Sequence, residues 1–304
     1  MRRKDPSTLR RLRFYLTEFN LAIPSDPTVN DIVLQGMKEG GVCDVTSASP
    51  AFSEFKNYQF QSIKSEMWAA CKTDTLLETE AVLVTAVGAR SVTLPTDFDS
   101  EISLTIYDAD EPTYRGTAQA GAVNSITLDA AFTATTDELQ GRYLFTLGGL
   151  GALQVRQITD YNDATKVATV SSLWTVTPDS TTTYLIATHE RTLDRRDYVR
   201  EAYQKSFPSL YGRTGTGMQV FPAPDKIYPI LMIYRSNLTR LDEDGSLFIK
   251  HLRERRWLWI QGIKTKTMAR FDDDRYTTEK AIWDQALLQY AAENVVYSQM
   301  QPNR

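Results

Sequence analysis

Apolar positions recur every three or four residues toward both ends of the chain and every second residue through its middle, so helices are expected outside and strands inside. Residues 7 to 21 place Leu9, Leu12, Leu16 and Phe19 on one face of a short docking helix otherwise covered by arginines. Asp26-Pro27 reads as an N-cap followed by proline at the first helical position, with Gly40-Gly41 as the matching stop. Ser49-Pro50 repeats the start signal. From there Phe52, Phe55, Ile63, Met67 and Cys71 keep a helical period, which predicts a second long helix running to about Lys72. Two further helical segments, about 245 to 271 and 276 to 299, end the chain. Phe248, Leu252, Trp259 and Ile263 mark the core stripe of one, and Trp283, Leu287, Tyr290 and Tyr297 that of the other, so the two are expected to lie antiparallel.

Between these ends the period falls to two. Ala81-Val82-Leu83-Val84 and Ser91-Val92-Thr93-Leu94-Pro95, with Gly88 between them, predict a hairpin, and Ile102 to Tyr107 a short return strand. Residues 113 to 187 are rich in Thr and Ala and sparse in Lys and Arg. Gly121, Gly141, Gly148-Gly149, Asn162-Asp163 and Pro178 break them into short alternating segments, as in an inserted all-β module. Strands are expected again near Met218 to Asp225 and from Tyr228 to Tyr234. The fold class expected is therefore α+β: a helical bundle of about four helices with a small antiparallel sheet and an inserted all-β module. The boundaries expected are 1–25 for a basic N-terminal arm and docking helix, 26–112 for the first half of a core (two helices plus hairpin), 113–187 for the β module, and 188–304 for the second half (strands, two C-terminal helices and a tail).

At 304 residues and 42% hydrophobic, the chain is long enough to bury a sizeable core. A net charge of −4 and a pI of about 5.4 exclude a uniformly basic duplex binder, so any nucleic-acid contact must be local. Cys43 and Cys71 are the two cysteines; lacking a second pair or a histidine cluster, they are expected as reduced thiols packed in helices, not as a disulfide or zinc site. The basic start, Met1 to Pro6, runs into Leu9-Arg10-Arg11-Leu12-Arg13 and not into an apolar stretch, and no run of about 18 apolar residues occurs. A soluble protein made in a cytosol, without membrane partners, is expected.

His189 and His251 are the two histidines, and neither lies in a metalloprotease, nucleophile-elbow or triad context. His251, beside Leu247 and Leu252, reads as structural. Gly212 to Gly217 lacks the Gly-Lys-Ser/Thr ending of a phosphate loop and reads as a flexible loop. Asp272-Asp273-Asp274 and Asp242-Glu243-Asp244-Gly245 suit helix starts, where carboxylates offset the positive dipole end, better than a metal site. No catalytic, metal or cofactor-binding residue is assigned. Arg2, Arg3, Lys4, Arg10, Arg11 and Arg13 form the densest basic cluster, suited alike to DNA phosphates, an acidic protein surface or a solvated face. Lys250, Arg253, Arg255, Arg256, Lys264, Lys266 and Arg270 make one side of the penultimate helix basic, which in a monomer is a solvated face.

The order of the segments carries a resemblance. Thr85 to Phe98, with Leu94-Pro95-Thr96-Asp97-Phe98, resembles the strand, turn and "LPxDF" return of tailed-phage head-to-tail adaptor proteins, also called head completion or tail tubular proteins. Phe221-Pro222-Ala223-Pro224-Asp225, followed by an apolar strand to Tyr234, is similar to a second element of that family. Leu128 to Phe132, Gly141 to Tyr143, Arg156 to Asn162 and Pro178 to Ile186 resemble its β inserts, so the likeness spans most of residues 28 to 300. It implies a structural, non-enzymatic ring without cofactor, twelvefold like the portal, in the virion neck between portal and downstream tail or nozzle protein, assembled in the host cytoplasm. Double-stranded DNA would pass through the channel. The portal or tail contacts expected are the six basic residues of the arm together with Ser298, Gln299, Met300, Gln301, Asn303 and Arg304, polar ends beyond the helices. Rival readings are a stopper or tail terminator, or a binding module whose β insert recognises a fibre protein or glycan.

Overall fold

The computed structural model describes residues 27–109, 114–196, 205–214, 217–271 and 273–299. The docking helix expected over residues 7 to 21, the basic arm and residues 300 to 304 lie outside them. The chain divides into two compact units, one of residues up to Leu77 and from Leu238, the other Glu78–Asn237.

The first unit is helical. Helix α1 (Val29–Glu39) begins two residues later than the Asp26-Pro27 signal: Thr28 is its N-cap, and Thr28 and Asp31 form a reciprocal capping box. Ser49 caps α2 (Pro50–Glu54) as its dipeptide signals. The long helix expected after it is not continuous α-helix. A π-helical segment, Phe55–Phe60, separates α2 from α3 (Gln61–Ala70), because the buried phenylalanines Phe55 and Phe60 stand five residues apart where an α-helix keeps three or four. The segment expected over 245 to 271 is likewise two helices, α4 (Ser246–Glu254) and α5 (Arg256–Arg270), broken at Arg255, before α6 (Tyr276–Gln299). Their buried faces share one core around Phe55, Phe60, Ile63, Phe248, Trp259 and Trp283.

The second unit is built of three sheets. The central one has the order β1 (Glu78–Val84), β15 (Pro229–Ser236), β3 (Phe98–Asp108), β11 (His189–Thr192), all antiparallel. Its side chains alternate between two cores, Val82, Tyr107 and Leu231 joining one and Leu83, Ile106 and Ile230 the other. The second core is shared with a four-stranded sheet of β12 (Asp194–Arg195), β13 (Leu210–Thr214), β14 (Gly217–Phe221) and β2 (Ser91–Val92). The first is shared with a seven-stranded sheet of order β4 (Arg115–Thr117), β10 (Thr183–Ile186), β7 (Tyr143–Gly148), β8 (Gln154–Asn162), β9 (Val167–Val170), β6 (Ser125–Thr127), β5 (Ala120–Ala122). Its outermost strands, β4 and β5, are neighbours in the chain. The peptide between them pairs on both sides, Ala118 N–H donating to Thr182 O (2.8 Å) and Gln119 N–H to Thr127 O (2.9 Å), so the sheet closes into a small barrel.

The expected α+β architecture on a helical bundle of about four helices is overturned. The chain is mostly β, with sheets of four, seven and four strands among the described residues and mostly short helices. One physical feature hid much of the β content: several strands are only two to five residues long, too short to display a period. The expected hairpin of 81–84 with 91–95 is also corrected, since β1 pairs only with β15 and β2 only with β14. Neither cysteine sits in a helix: Cys71 is the buried C-cap of α3, and Cys43 is exposed in a loop. Within the glycine-rich stretch Gly212 to Thr214 lie in β13 and Gly217 in β14, which pair with each other, so these residues are strand and not loop; Gly215 and Thr216 lie outside the described residues.

Helices α1 and α5 meet through Gly36, where a Cβ would come 2.5 Å from Ile263 Cγ2, inside any permitted contact. Gly36→Leu is expected to lower stability on the order of 1–3 kcal/mol or more, read as a lower urea midpoint at unchanged slope. An unchanged midpoint would show that the helices can part freely.

Candidate functional site

The residues of the two resembling motifs meet. Asp97, in the turn before β3, accepts hydrogen bonds from the Tyr234 hydroxyl (3.1 Å) and the Ser236 hydroxyl (2.7 Å) of β15, and its carbonyl accepts from Asn237 N–H (2.7 Å). Phe98 lies against the Tyr234 ring at 5.8 Å. Burial, followed by the Asp97 carboxylate, pushes the Tyr234 hydroxyl well above its ordinary pKa, so it stays a protonated donor. Farther along, the Tyr228 hydroxyl donates to Asp225 (2.6 Å), Pro224 O accepts from Gly88 N–H (2.7 Å), and the Phe221-Pro222 peptide is cis. Leu94 and Pro95 line a groove of about 710 Å³ between β1 and β2, which do not pair with each other, and Leu153 also lines it. Arg115 joins the barrel to this framework: its guanidinium donates to Asp108 (2.7 Å) and to Ile227 O (2.6 Å).

In the helical unit a polar cluster that the sequence did not announce is sealed from solvent. The Tyr290 hydroxyl donates to Asp74 Oδ2 at 2.6 Å, Leu76 N–H donates to Asp74 Oδ1 at 2.9 Å, and His251 Nε2 stands 3.3 Å from Oδ2. Trp259 Nε1–H donates to His251 Nδ1 (3.3 Å), which leaves Nε2 to carry the proton toward Asp74. Burial would raise the Asp74 carboxyl, but the hydrogen bonds from His251, Tyr290 and Leu76 outweigh it and hold its pKa down to about 2. The same burial and the Asp74 charge push Tyr290 up. With Asp74 and His251 both fully buried, the cluster joins the end of α3 to α4, α5 and α6. The structural reading of His251 describes its position. Asp74 was hidden because Thr73-Asp74-Thr75 looks like an ordinary turn.

The basic side of the penultimate helical segment is largely neutralised within the unit. Lys264 pairs with Glu279 at 2.7 Å, Lys266 with Glu66, Arg270 with Glu54, and Arg255 with Glu293 at 3.1 Å, while Arg256 donates to Gln35. It is not the simple solvated face expected. Asp273 accepts from the backbone and guanidinium of Arg275, and α6 begins at Tyr276; Asp272 lies outside the described residues. Exposed His189 lies on β11, its ring 5.9 Å from Phe207. Among the described residues no group of three or more His, Cys, Asp or Glu gathers as a metal site, and no helix is long and apolar enough to cross a membrane. Of the expected portal or tail contacts, Ser298 and Gln299 fall in α6; Arg2, Arg3, Lys4, Arg10, Arg11, Arg13, Met300, Gln301, Asn303 and Arg304 lie outside the described residues.

No family model and no curated protein matches this chain.

Asp74 has a folded pKa below its ordinary 3.8, so its stabilisation is complete above that value and is lost as pH falls toward about 2. The shift corresponds to about 2 kcal/mol. Asp74→Asn is expected to cost about 2–4 kcal/mol at pH 7 and to flatten the loss of stability between pH 5 and 2. Urea titrations over that range check both, and an undiminished pH slope in the variant would place the titrating group elsewhere.

Proposed function

We propose that this chain is a structural subunit of a tailed-phage neck, a head-to-tail adaptor that forms a ring between portal and tail with a central passage for genomic DNA. The observation that carries the reading is the ordered pair of motifs. Leu94 to Phe98 and Phe221 to Tyr234 resemble the adaptor elements in sequence, and Asp97 and Phe98 of the first contact Tyr234 of the second across 137 positions. Residues that recur together in a family and bond to one another form a framework, which suits a scaffold role.

The charge distribution supports the same reading. A DNA-gripping surface needs free cations, because each neutralised phosphate adds salt-dependent affinity. Here the basic helix face is largely satisfied by the chain's own carboxylates and the whole chain carries −4. Such a subunit would let duplex slide past. The basic arm at residues 2 to 13 and the polar C-terminal residues are left to choose the portal or tail neighbour.

Each ring subunit uses two different surfaces, because a closed cyclic assembly repeats one heterologous contact. Native mass spectrometry and electron microscopy of the chain with its portal are expected to show a ring of twelve copies. Deleting residues 1–25, or the residues after Gln299, is expected to weaken portal binding in at least one case. A chain that stays monomeric beside the portal overturns the proposal.

A further inference from the structure

Helix α6 inverts the usual surface pattern. Its inner face is Trp283, Ala286 and Tyr290. The opposite half, which a surface helix normally fills with charge, carries Thr277, Ala281, Gln285, Leu288, Gln289 and Ala292, all without charge and all exposed. Leu288 is 72% exposed and flanking Ile282 45%. The charged residues fall on the flanks, where Lys280 pairs with Asp284 at 2.7 Å, Glu279 with Lys264 and Glu293 with Arg255. Ala281, Gln285, Leu288 and Ala292 follow a spacing of four, three and four, the seam of a helix that packs on another helix.

A second such stripe lies on the same unit. Along the stretch from α2 to α3, Asn57, Tyr58, Gln61, Ser65 and Ala69 are exposed and uncharged, with Tyr58 71% exposed. The π-helical segment produces this: its extra residue keeps Phe55 and Phe60 both buried and turns Tyr58 outward. Two unlike, uncharged helical stripes on one subunit are what a head-to-tail contact requires, since the surface offered and the surface receiving must differ. Their neutrality matches each to the other and neither to nucleic acid.

We infer that the outer stripe of α6 on one copy docks on the Tyr58 stripe of a second copy, forming the helical part of the ring contact; the inference rests on the ring reading above. From Thr277 to Ala292 the stripe is about 24 Å long and about 10 Å wide. It buries roughly 500 Å² over both partners, below the roughly 1,200 Å² of a stable pair. The contact is therefore weak between two free copies and is held by ring closure.

Cysteine cross-linking captures a contact of that strength. In full-length chain carrying Cys43→Ser, the double variant Tyr58→Cys with Leu288→Cys is expected to give a ladder of dimers, trimers and higher rungs under mild oxidation. A mixture of the two single variants should stop at dimers, and each single variant alone should give none. Ile282→Cys replaces Leu288→Cys if that variant misfolds, and Tyr58→Cys with Lys250→Cys sets the background from chance encounters. Leu288→Cys cross-linking by itself as strongly as the mixture would mean a two-fold contact and overturn the inference. Rings seen by native mass spectrometry without a ladder above background would overturn it while sparing the ring reading. A ladder without closed rings would sink the ring reading instead, and the absence of both would sink the two together.

Discussion

Glu78 and Arg235 are 157 positions apart, yet they face each other in the pairing of β1 with β15 and their side chains form an ion pair at 2.9 Å. This pairing brings the two ends of the β unit together. The chain enters that unit at Glu78 and leaves it at Asn237, so the helices on either side can share one core only if the excursion returns to its start. Closing a loop of that length costs on the order of 4 kcal/mol in chain entropy. Seven paired positions of β1 and β15, seven more of β15 with β3, and the Asp97 bonds to Tyr234 and Ser236 meet that cost within a single sheet. The adaptor-like motifs fall at this closure. Their residues are therefore accounted for by the fold itself.

The helical core poses a different problem, because it holds an ionised carboxylate away from water. Asp74 is tolerated there because Tyr290, His251 and the Leu76 backbone saturate its oxygens, and Trp259 fixes the imidazole so that its remaining proton faces the acid. Such a cluster adds little net stability compared with an apolar core, but leaving any one member unpaired is costly. Its effect is selective. Only one relative placement of α4, α5 and α6 on the end of α3 satisfies every group, so a core that hydrophobic packing alone would leave adaptable is held to a single arrangement.

What the sequence disclosed and what it concealed follow from the same physics. Ser49-Pro50 and the stripes of α4, α5 and α6 were legible because capping and one-sided burial leave a local signature, and the strands before Asp108 and Ser236 because facing two cores sets apolar residues close together along them. The bundle expectation failed because periodicity does not report how strands are joined. Splayed arms such as β1 and β2 have the same alternation as a paired hairpin, and the barrel closes through two backbone bonds at Ala118 and Gln119 that no side-chain pattern encodes. The break at Phe55–Phe60 leaves a trace visible in the five-residue spacing of its phenylalanines, although the period from Phe52 to Cys71 predicts one continuous helix. Asp74 leaves no such trace, because its partners lie up to 216 positions away.

The exposed face of α6 and the paired face of α5 constrain assembly from opposite directions. On α5, Lys264, Lys266 and Arg270 spend their charge on Glu279, Glu66 and Glu54, so that side already has its partners inside the subunit. On α6 the outward stripe carries no charge to offer a polyanion, while Leu288 remains in solvent. A long helix gains nothing from that composition as a free surface. An uncharged seam beside self-neutralised flanks imposes no electrostatic steering, so under the proposed contact the orientation of a second copy would come from shape: the small Ala281 and Ala292 on either side of the exposed Leu288.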